Sequence, residues 1–408
     1  MITRNYHNDR GGQGFVSFKV TILTNGLIVT DKEVLINHCL VLENDTIVEI
    51  TPMRDCLYFD VESEVIDCKG NYILPGLIDV HSDMIETIIV PRKGVTFPVN
   101  IALHEADRQL INHGITTIYH SISIANSTIC NKKRTLSVDK MIGIGDAINE
   151  MADQLMLHHR FHARLEMNTL EAFGSLLLRI RRGIIHELSL MNHTPGQGQY
   201  SSLETFKKEI VKQYGEVTEQ RMDEIIHQCQ SKPLLPEAQL RELIDCAREH
   251  EVPIAYHDVE TEDHLQFMKK HSIEIGEFPL SLDIAKKAKA LGFYNLVGAP
   301  NILRGGSHNS NISATELVTQ EAASVICSDY YSPSLLLSIF ILMDHTKFSL
   351  PDLVAMVTTN PAKALKIDDK YGTLAVGKKA DIIVVDRTSV LPKVTLVMIE
   401  GQKKLQIY

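Results

Sequence analysis

Six stretches of the chain end an apolar run on a residue able to bind a metal or move a proton. LIDVHSD closes on His81 and Asp83, HARLE on Glu166, SLMNH on His193, IAYHD on His257 and Asp258, and VICSD on Asp329, while EIGEFP carries Glu277. Imidazole nitrogen and carboxylate oxygen together suit zinc, manganese or iron, and one bridging carboxylate can hold two ions. Taken singly, each residue has a blander reading. An HxD pair at a strand end suits a surface hydrogen bond, His257 a satisfied core histidine, Glu166 a salt bridge to Arg164 or Arg160, and Asp329 the cap of a turn. The cluster His158, His159 and His162 reads as mostly solvated. Recurrence at strand after strand, in chain order, favours one shared metal site.

Such residues meet only if the strands carrying them share a sheet and a direction. From Leu77 to about Lys370, β-rich runs alternate with helix-like segments, as a parallel sheet with crossover helices requires. Strands are expected at Leu77–Val80, Thr116–Ile124, His162–Met167, Glu187–Met191, Pro253–Tyr256, Ser272–Glu277, Tyr294–Ala299 and Ser324–Ser328. Eight strands predict an α/β fold of the (β/α)8 TIM-type barrel class, whose reactive residues sit at the C-terminal strand ends. The flanking segments read differently. Residues 15–76 and 371–408 are short strand-like runs broken by Asn-Gly, Asn-Asp and Lys-Gly turns, and neither has enough strands to close a sandwich alone. They are expected to form one composite β-sandwich beside a catalytic barrel at 77–370. Leu74-Pro75-Gly76 is the expected hinge, and residues 1–14 a flexible arm. Asn360-Pro361 reads as the N-cap and first residue of the last barrel helix.

Composition narrows the partners. The 408 residues are 44% hydrophobic and 23% charged, with a formal net charge of -10. An acidic chain lacks the basic field that nucleic acid or an anionic membrane needs, although a local cationic cluster can still take a small anion. No stretch offers the roughly 20 uninterrupted apolar residues of a spanning helix. Seven cysteines without a CxxC pair argue against a disulfide framework or zinc-thiolate site and fit a reducing cytoplasm. The sequence leaves assembly open, a homo-oligomer included.

LPGLIDVHSD resembles the barrel entry of the amidohydrolase superfamily, and GKKADIIVVD is similar to the return strand of its composite β-sandwich. Within that superfamily PRKGVTFP, SLMNHTPGQGQY, GEFPLSLDIAKKAKALG, GAPNILRGGSHNSNISATEL and CSDYYSPSLL resemble the PhnM-type diphosphatases of phosphonate metabolism, from about Ile22 to the C-terminus. The resemblance implies hydrolysis of α-D-ribose 1-methylphosphonate 5-triphosphate with release of pyrophosphate, in the carbon-phosphorus lyase pathway. It implies a divalent metal, two ions being expected, with zinc ahead of manganese or iron, on His81, Asp83, Glu166, His193 and His257. Two ions about 3.5 to 4 Å apart would both generate a nucleophilic water and neutralise phosphoryl charge. Glu166 is the implied bridge, in place of the carboxylated lysine of other members, and Asp329 the base that orients and deprotonates water. Arg304, Gly305, Gly306, Ser307 and His308 form the expected phosphate cradle, guanidinium fork and backbone N–H groups together, with Arg92 and Lys93 opposite. The chain departs from the family pattern at Asn192, Val259 and Phe97. Two rivals share these residues: an enzyme cutting a C–N bond or another phosphoester, and a non-catalytic barrel scaffold.

Overall fold

A computed structural model of the chain describes residues 19–60, 63–92, 94–126, 136–197, 202–306, 312–389 and 391–407. The arm expected over 1–14 lies outside the described residues, as do Lys93, Ser307 and His308. Eight runs form β1 (Leu77–Ser82), β2 (Ile115–Ile124), β3 (His158–Glu166), β4 (Glu187–Met191), β5 (Ile254–His257), β6 (Ile275–Glu277), β7 (Tyr294–Gly298) and β8 (Val325–Cys327). They pair in parallel in strict chain order, which a run of βαβ units produces. β1, β2 and β4 are buried along their whole length, because helices cover one face and the barrel filling covers the other.

The ring closes where β8 meets β1. Asp83 N–H donates to the Asp329 carbonyl at 2.8 Å, and Asp329 N–H to the His81 carbonyl at 2.9 Å. Just below, the Asp79 carboxylate accepts from Ser328 N–H at 2.9 Å. Closure of the sheet is therefore also what holds His81, Asp83 and Asp329 side by side. The lower barrel is filled by Ile78, Val80, Tyr119, Ala255, Ile275 and Leu296, with Ala362 and Leu365 packed beneath.

The expected (β/α)8 class is the observed one, with two strands shifted. β3 starts at His158 rather than His162, because the alternation in HHRFHARLE lets pairing with β2 begin at His158–Thr117. β6 starts at Ile275 rather than Ser272, because Ser272, with φ 53°, and the Ile273 N–H bonded to the Met268 carbonyl still belong to the preceding helix end. Asn360 is not a cap: Thr358 precedes the helix Thr359–Ala364, and the Asn360 amide donates to the Ser324 carbonyl at 2.8 Å.

Outside the barrel, Thr46–Pro52, His38–Glu43, Val20–Thr24 and Ser63–Asp67 make a four-stranded sheet in that order. A six-stranded sheet runs Gln402–Gln406, Lys393–Ile399, Ile382–Asp386, Tyr72–Pro75, Leu27–Val29 and Val34–Leu35, so both ends of the chain share it. Leu23, Ile28, Leu40, Ile73, Ile382 and Leu396 pack together between the sheets. The junction is a tight joint instead of a hinge. Gly76 N–H donates to Asp381 O at 2.8 Å, and a β-carbon on Gly76 would stand 2.2 Å from Thr116 Oγ1. Among the described residues no helix is long and apolar enough to cross a membrane.

Candidate metal centre

The period-two alternation of a strand decides which side chains reach the pocket. Along β3 it puts His162, Arg164 and Glu166 on one face, and along β4 Glu187 and Ser189. Where three strands end, Asp258, Phe278 and Asp329 adopt φ of 54°, 49° and 55°. Aspartate tolerates this left-handed region, whereas phenylalanine enters it at a cost. Each turn swings the chain sharply away, which leaves His257, Glu277 and the Asp329 carboxylate facing the strand ends.

Two groups of ligating atoms result. In the first, His193 Nε2 lies 3.2 Å from Asp258 Oδ2, and His257 Nδ1 lies 3.1 Å from the same oxygen. One nitrogen from each histidine and one Asp258 oxygen fall within 4.8 Å of one another, a set able to hold a divalent ion. Glu166 stands behind it. Its two oxygens meet His193 Nδ1 and accept from the His193 N–H, each at 2.8 Å. A carboxylate on the far nitrogen of a ligating histidine fixes ring orientation and raises basicity. The resemblance implied a bridge between two ions for Glu166; in this structure both of its oxygens meet His193. Burial lowers the His193 pKa, but the charges of Glu166 and Asp258 and their hydrogen bonds outweigh it and bring it up to about 10.

The second group lies deeper, at His81, His162 and Glu277. His81 Nδ1 is 2.5 Å from Glu277 Oε1, and Ser189 Oγ donates to Glu277 Oε2 at 2.5 Å. Burial pushes the His81 imidazole down, against the Glu277 charge, while Glu277 is itself held well below its ordinary range by His81, His162 and His257 despite burial. A neutral His81 donating from Nδ1–H to a charged Glu277 satisfies both directions and leaves the Nε2 lone pair toward Asp83 Oδ1, 3.8 Å away. Beneath, burial brings His162 down to about 3, so its imidazole is neutral at pH 7, while burial and then the Glu277 charge push Glu187 well above the usual carboxylate range.

Between the groups stands an arginine. Arg164 Nη1 donates to Asp83 Oδ1 at 2.7 Å, and Nη2 lies 3.1 Å from His257 Nε2. The Asp329 carboxyl is raised to about 7, first by burial and then by the Asp83, Asp79 and Glu277 charges, with Arg164 opposing. That is the range in which a carboxylate serves as a general base near neutral pH.

The structure therefore gathers His81, Asp83, Glu166, His193, His257 and Asp329 at one mouth. Four further residues belong there. Asp258 and Glu277 were visible as strand-end carboxylates. His162 is buried, not solvated, and so is His159, which bonds His120 and Asp107. Arg164 pairs with Asp83 rather than Glu166. The alternation of HHRFHARLE was the available signal, since it puts His162, Arg164 and Glu166 on one face.

The phosphate cradle is only partly as expected. Gly305, with φ 71°, ends the helix Ala299–Leu303. Its N–H donates to the Ile302 carbonyl at 3.3 Å and the Gly306 N–H to the Asn301 carbonyl at 3.0 Å, the paired bonds of a Schellman cap. Both N–H groups are spent on the helix, so they do not line an anion site. Arg304 is exposed with Nη1 3.5 Å from the Tyr330 hydroxyl, and Arg92 is exposed in a turn bridged to Val95.

This architecture, with its strand-end histidines and carboxylates, belongs to a known class: residues 72–404 match the amidohydrolase family model, and the chain is a member of that family. It is similar to the alpha-D-ribose 1-methylphosphonate 5-triphosphate diphosphatase of Escherichia coli (strain K12), at 31% identity over 364 residues, covering 86% of this chain and 94% of that one. A shorter match, 35% identity over 72 residues, links 17% of the chain to 16% of the 5-methylthioadenosine/S-adenosylhomocysteine deaminase of Bacillus thuringiensis (strain Al Hakam). Among solved structures, A. niger ochratoxinase superposes with a TM-score of 0.66 at 13% identity, covering 96% of each chain. N-acetylglucosamine-6-phosphate deacetylase from Pasteurella multocida superposes at 0.59 and 15% identity, covering 95% of this chain and 100% of that one. Both share the fold.

Proposed function

We propose that this protein is a metal-dependent diphosphatase that cleaves α-D-ribose 1-methylphosphonate 5-triphosphate and releases pyrophosphate, acting in the cytoplasm on this small anionic substrate. The observation that carries the reading is similarity along nearly the whole length of both chains to the E. coli enzyme of that activity. His193, His257 and Asp258 would hold the ion, oriented by Glu166, and zinc, manganese and iron all accept this nitrogen-oxygen set. When bound, such an ion supplies Lewis-acid polarisation and lowers the pKa of a water.

The chain's own residues supply the rest. Asp329, with its carboxyl near 7, takes the proton from the attacking water. Glu277 holds His81 in one orientation from behind. Arg164 offers a fixed positive charge between the two groups, and Arg304, exposed after β7, meets the outer phosphates. Guanidinium forks suit phosphate oxygens.

The test is product identity. Purified protein with zinc, manganese or iron should release pyrophosphate from the ribosyl phosphonate triphosphate much faster than from ATP, and chelation should stop it. Release of orthophosphate alone, or equal rates on both substrates, would overturn the assignment. Arg304→Ala should depress triphosphate turnover far more than turnover of a neutral amide, which separates this reading from C–N bond hydrolysis.

A further inference from the structure

We infer that the Arg164 guanidinium takes the place of a second ion, so that the site works with one divalent ion and one built-in arginine cation. The inference rests on the metal-dependent reading above and deepens it. Arg164 lies on β3 between His162 and Glu166, and its side chain is only 10% exposed. An ion shared between the β1 pair His81 and Asp83 and the β5 histidine would need Asp83 Oδ1, the oxygen facing His81 Nε2, and His257 Nε2. Arg164 already meets both, Nη1 at 2.7 Å from Asp83 Oδ1 and Nη2 at 3.1 Å from His257 Nε2. A guanidinium has only donors and keeps its proton at any working pH. Beside Asp83 and His257 it opposes a second cation by its volume and its charge, and in the deeper group His81 Nδ1 and Glu277 Oε1 are already engaged with each other at 2.5 Å. Its surroundings match that role, since Asp83, Glu277, Glu86 and Asp329 are the charges that act on it most strongly.

The residues on the other side fit a single ion. His193, His257 and Asp258 bring their ligating atoms together without Arg164, Asp83 or His81. Glu166, which could have bridged two ions, faces His193 with both oxygens. The two cations are also coupled through His257. Were His257 to ligate through Nδ1, which faces Asp258, its proton would sit on Nε2 and the guanidinium nitrogen facing that atom would lose its acceptor. Held by Asp83 through Nη1, Arg164 can turn Nη2 to a phosphoryl oxygen. Arg164 Nε, buried and without a partner among the described residues, adds a further donor. A metal with a neighbouring arginine clamp would thus neutralise the phosphoryl group that a metal pair serves elsewhere.

Metal content decides it, without reference to turnover. The full chain is loaded with zinc, freed of excess by gel filtration and assayed by mass spectrometry of the metal against protein concentration. The wild-type chain is expected to carry one ion. Asp83→Asn should still carry one, His193→Ala should lose it, and Arg164→Met should rise above one as Asp83 and His81 are released from the guanidinium. Two ions per wild-type chain, or loss of an ion in Asp83→Asn, would overturn the inference while leaving the metal-dependent reading intact. No ion in the wild-type chain would overturn that reading as well. Should Arg164→Met fail to fold, the wild-type and Asp83→Asn contents still distinguish one ion from two.

Discussion

A buried carboxylate is defined by what its two oxygens touch. Asp329 has its carboxyl raised to about 7 by burial and by neighbouring carboxylates, which suits a proton acceptor and does not require it to hold an ion. Asp329→Asn should therefore lower kcat by about 10²- to 10⁴-fold, the usual contribution of a positioned acid or base, with bound metal unchanged. Rapid-quench rates and metal analysis on the same sample check this. Glu277 is tied by both oxygens to His81 and Ser189, and all three are buried. Glu277→Ala leaves the buried His81 N–H without a partner, and an unsatisfied buried donor costs about 1–3 kcal/mol. An unfolding free energy from urea titration lowered by less than about 0.5 kcal/mol would show the contact to be weaker than its geometry suggests. Both residues were legible as strand-end carboxylates, yet Glu277's partner on β1 was not, because 196 residues separate it from His81.

Elements meet through a few positions that admit no side chain or no change of charge. Gly76 links the six-stranded sheet to β1, and a β-carbon there would stand 2.2 Å from Thr116 Oγ1 and 2.4 Å from its methyl. Gly76→Ala should destabilise the chain by about 1–3 kcal/mol, the range for overpacking a dense core, and calorimetry will show the loss as a lower Tm. Helix Val99–Ile111 docks on the start of β3 through Asp107, which accepts from the Met156 N–H at 2.9 Å, the Leu157 N–H at 3.0 Å and meets His159 Nε2 at 3.1 Å. Burial pushes the Asp107 carboxyl up, but the His159 and main-chain hydrogen bonds overcome it and leave it below its ordinary value. Its folded-state pKa is lower than its unfolded one, so its stabilisation is full above about pH 4 and disappears as pH falls through the folded value. Asp107→Asn should lose stability at neutral pH and show a flatter decline below pH 4 than the wild type. Parallel acid-unfolding curves would count against this.

The whole molecule joins its two ends. Ile382–Asp386 pairs antiparallel with Tyr72–Pro75, and Lys393–Ile399 and Gln402–Gln406 extend the same sheet. A chain stopped after Lys370 loses half the strands of that sheet and uncovers Ile28, Ile73 and their neighbours between the two layers. Exposed strand edges and apolar faces promote association. The truncated chain should accumulate as aggregate, and a soluble, cooperatively melting 1–370 product in size-exclusion and thermal scans would contradict that. The shared sheet was foreseeable because neither end had enough strands alone. The tight joint at Gly76 was not, since Pro-Gly reads locally as a break and only the neighbouring Thr116 makes it rigid.

The order of amino acids alone carries the alternation of strands and helices, hence the barrel, and the strand-end positions of His81, Asp83, Glu166, His193, His257 and Asp329. Periodicity and strand-end chemistry are local properties, readable over a few residues. How those groups pair depended on the closed ring: Glu166 behind His193, Glu277 beneath His81, and Arg164 between Asp83 and His257. Those choices depend on which side chains the closed ring brings within about 3 Å across scores of residues, and no local pattern carries that distance.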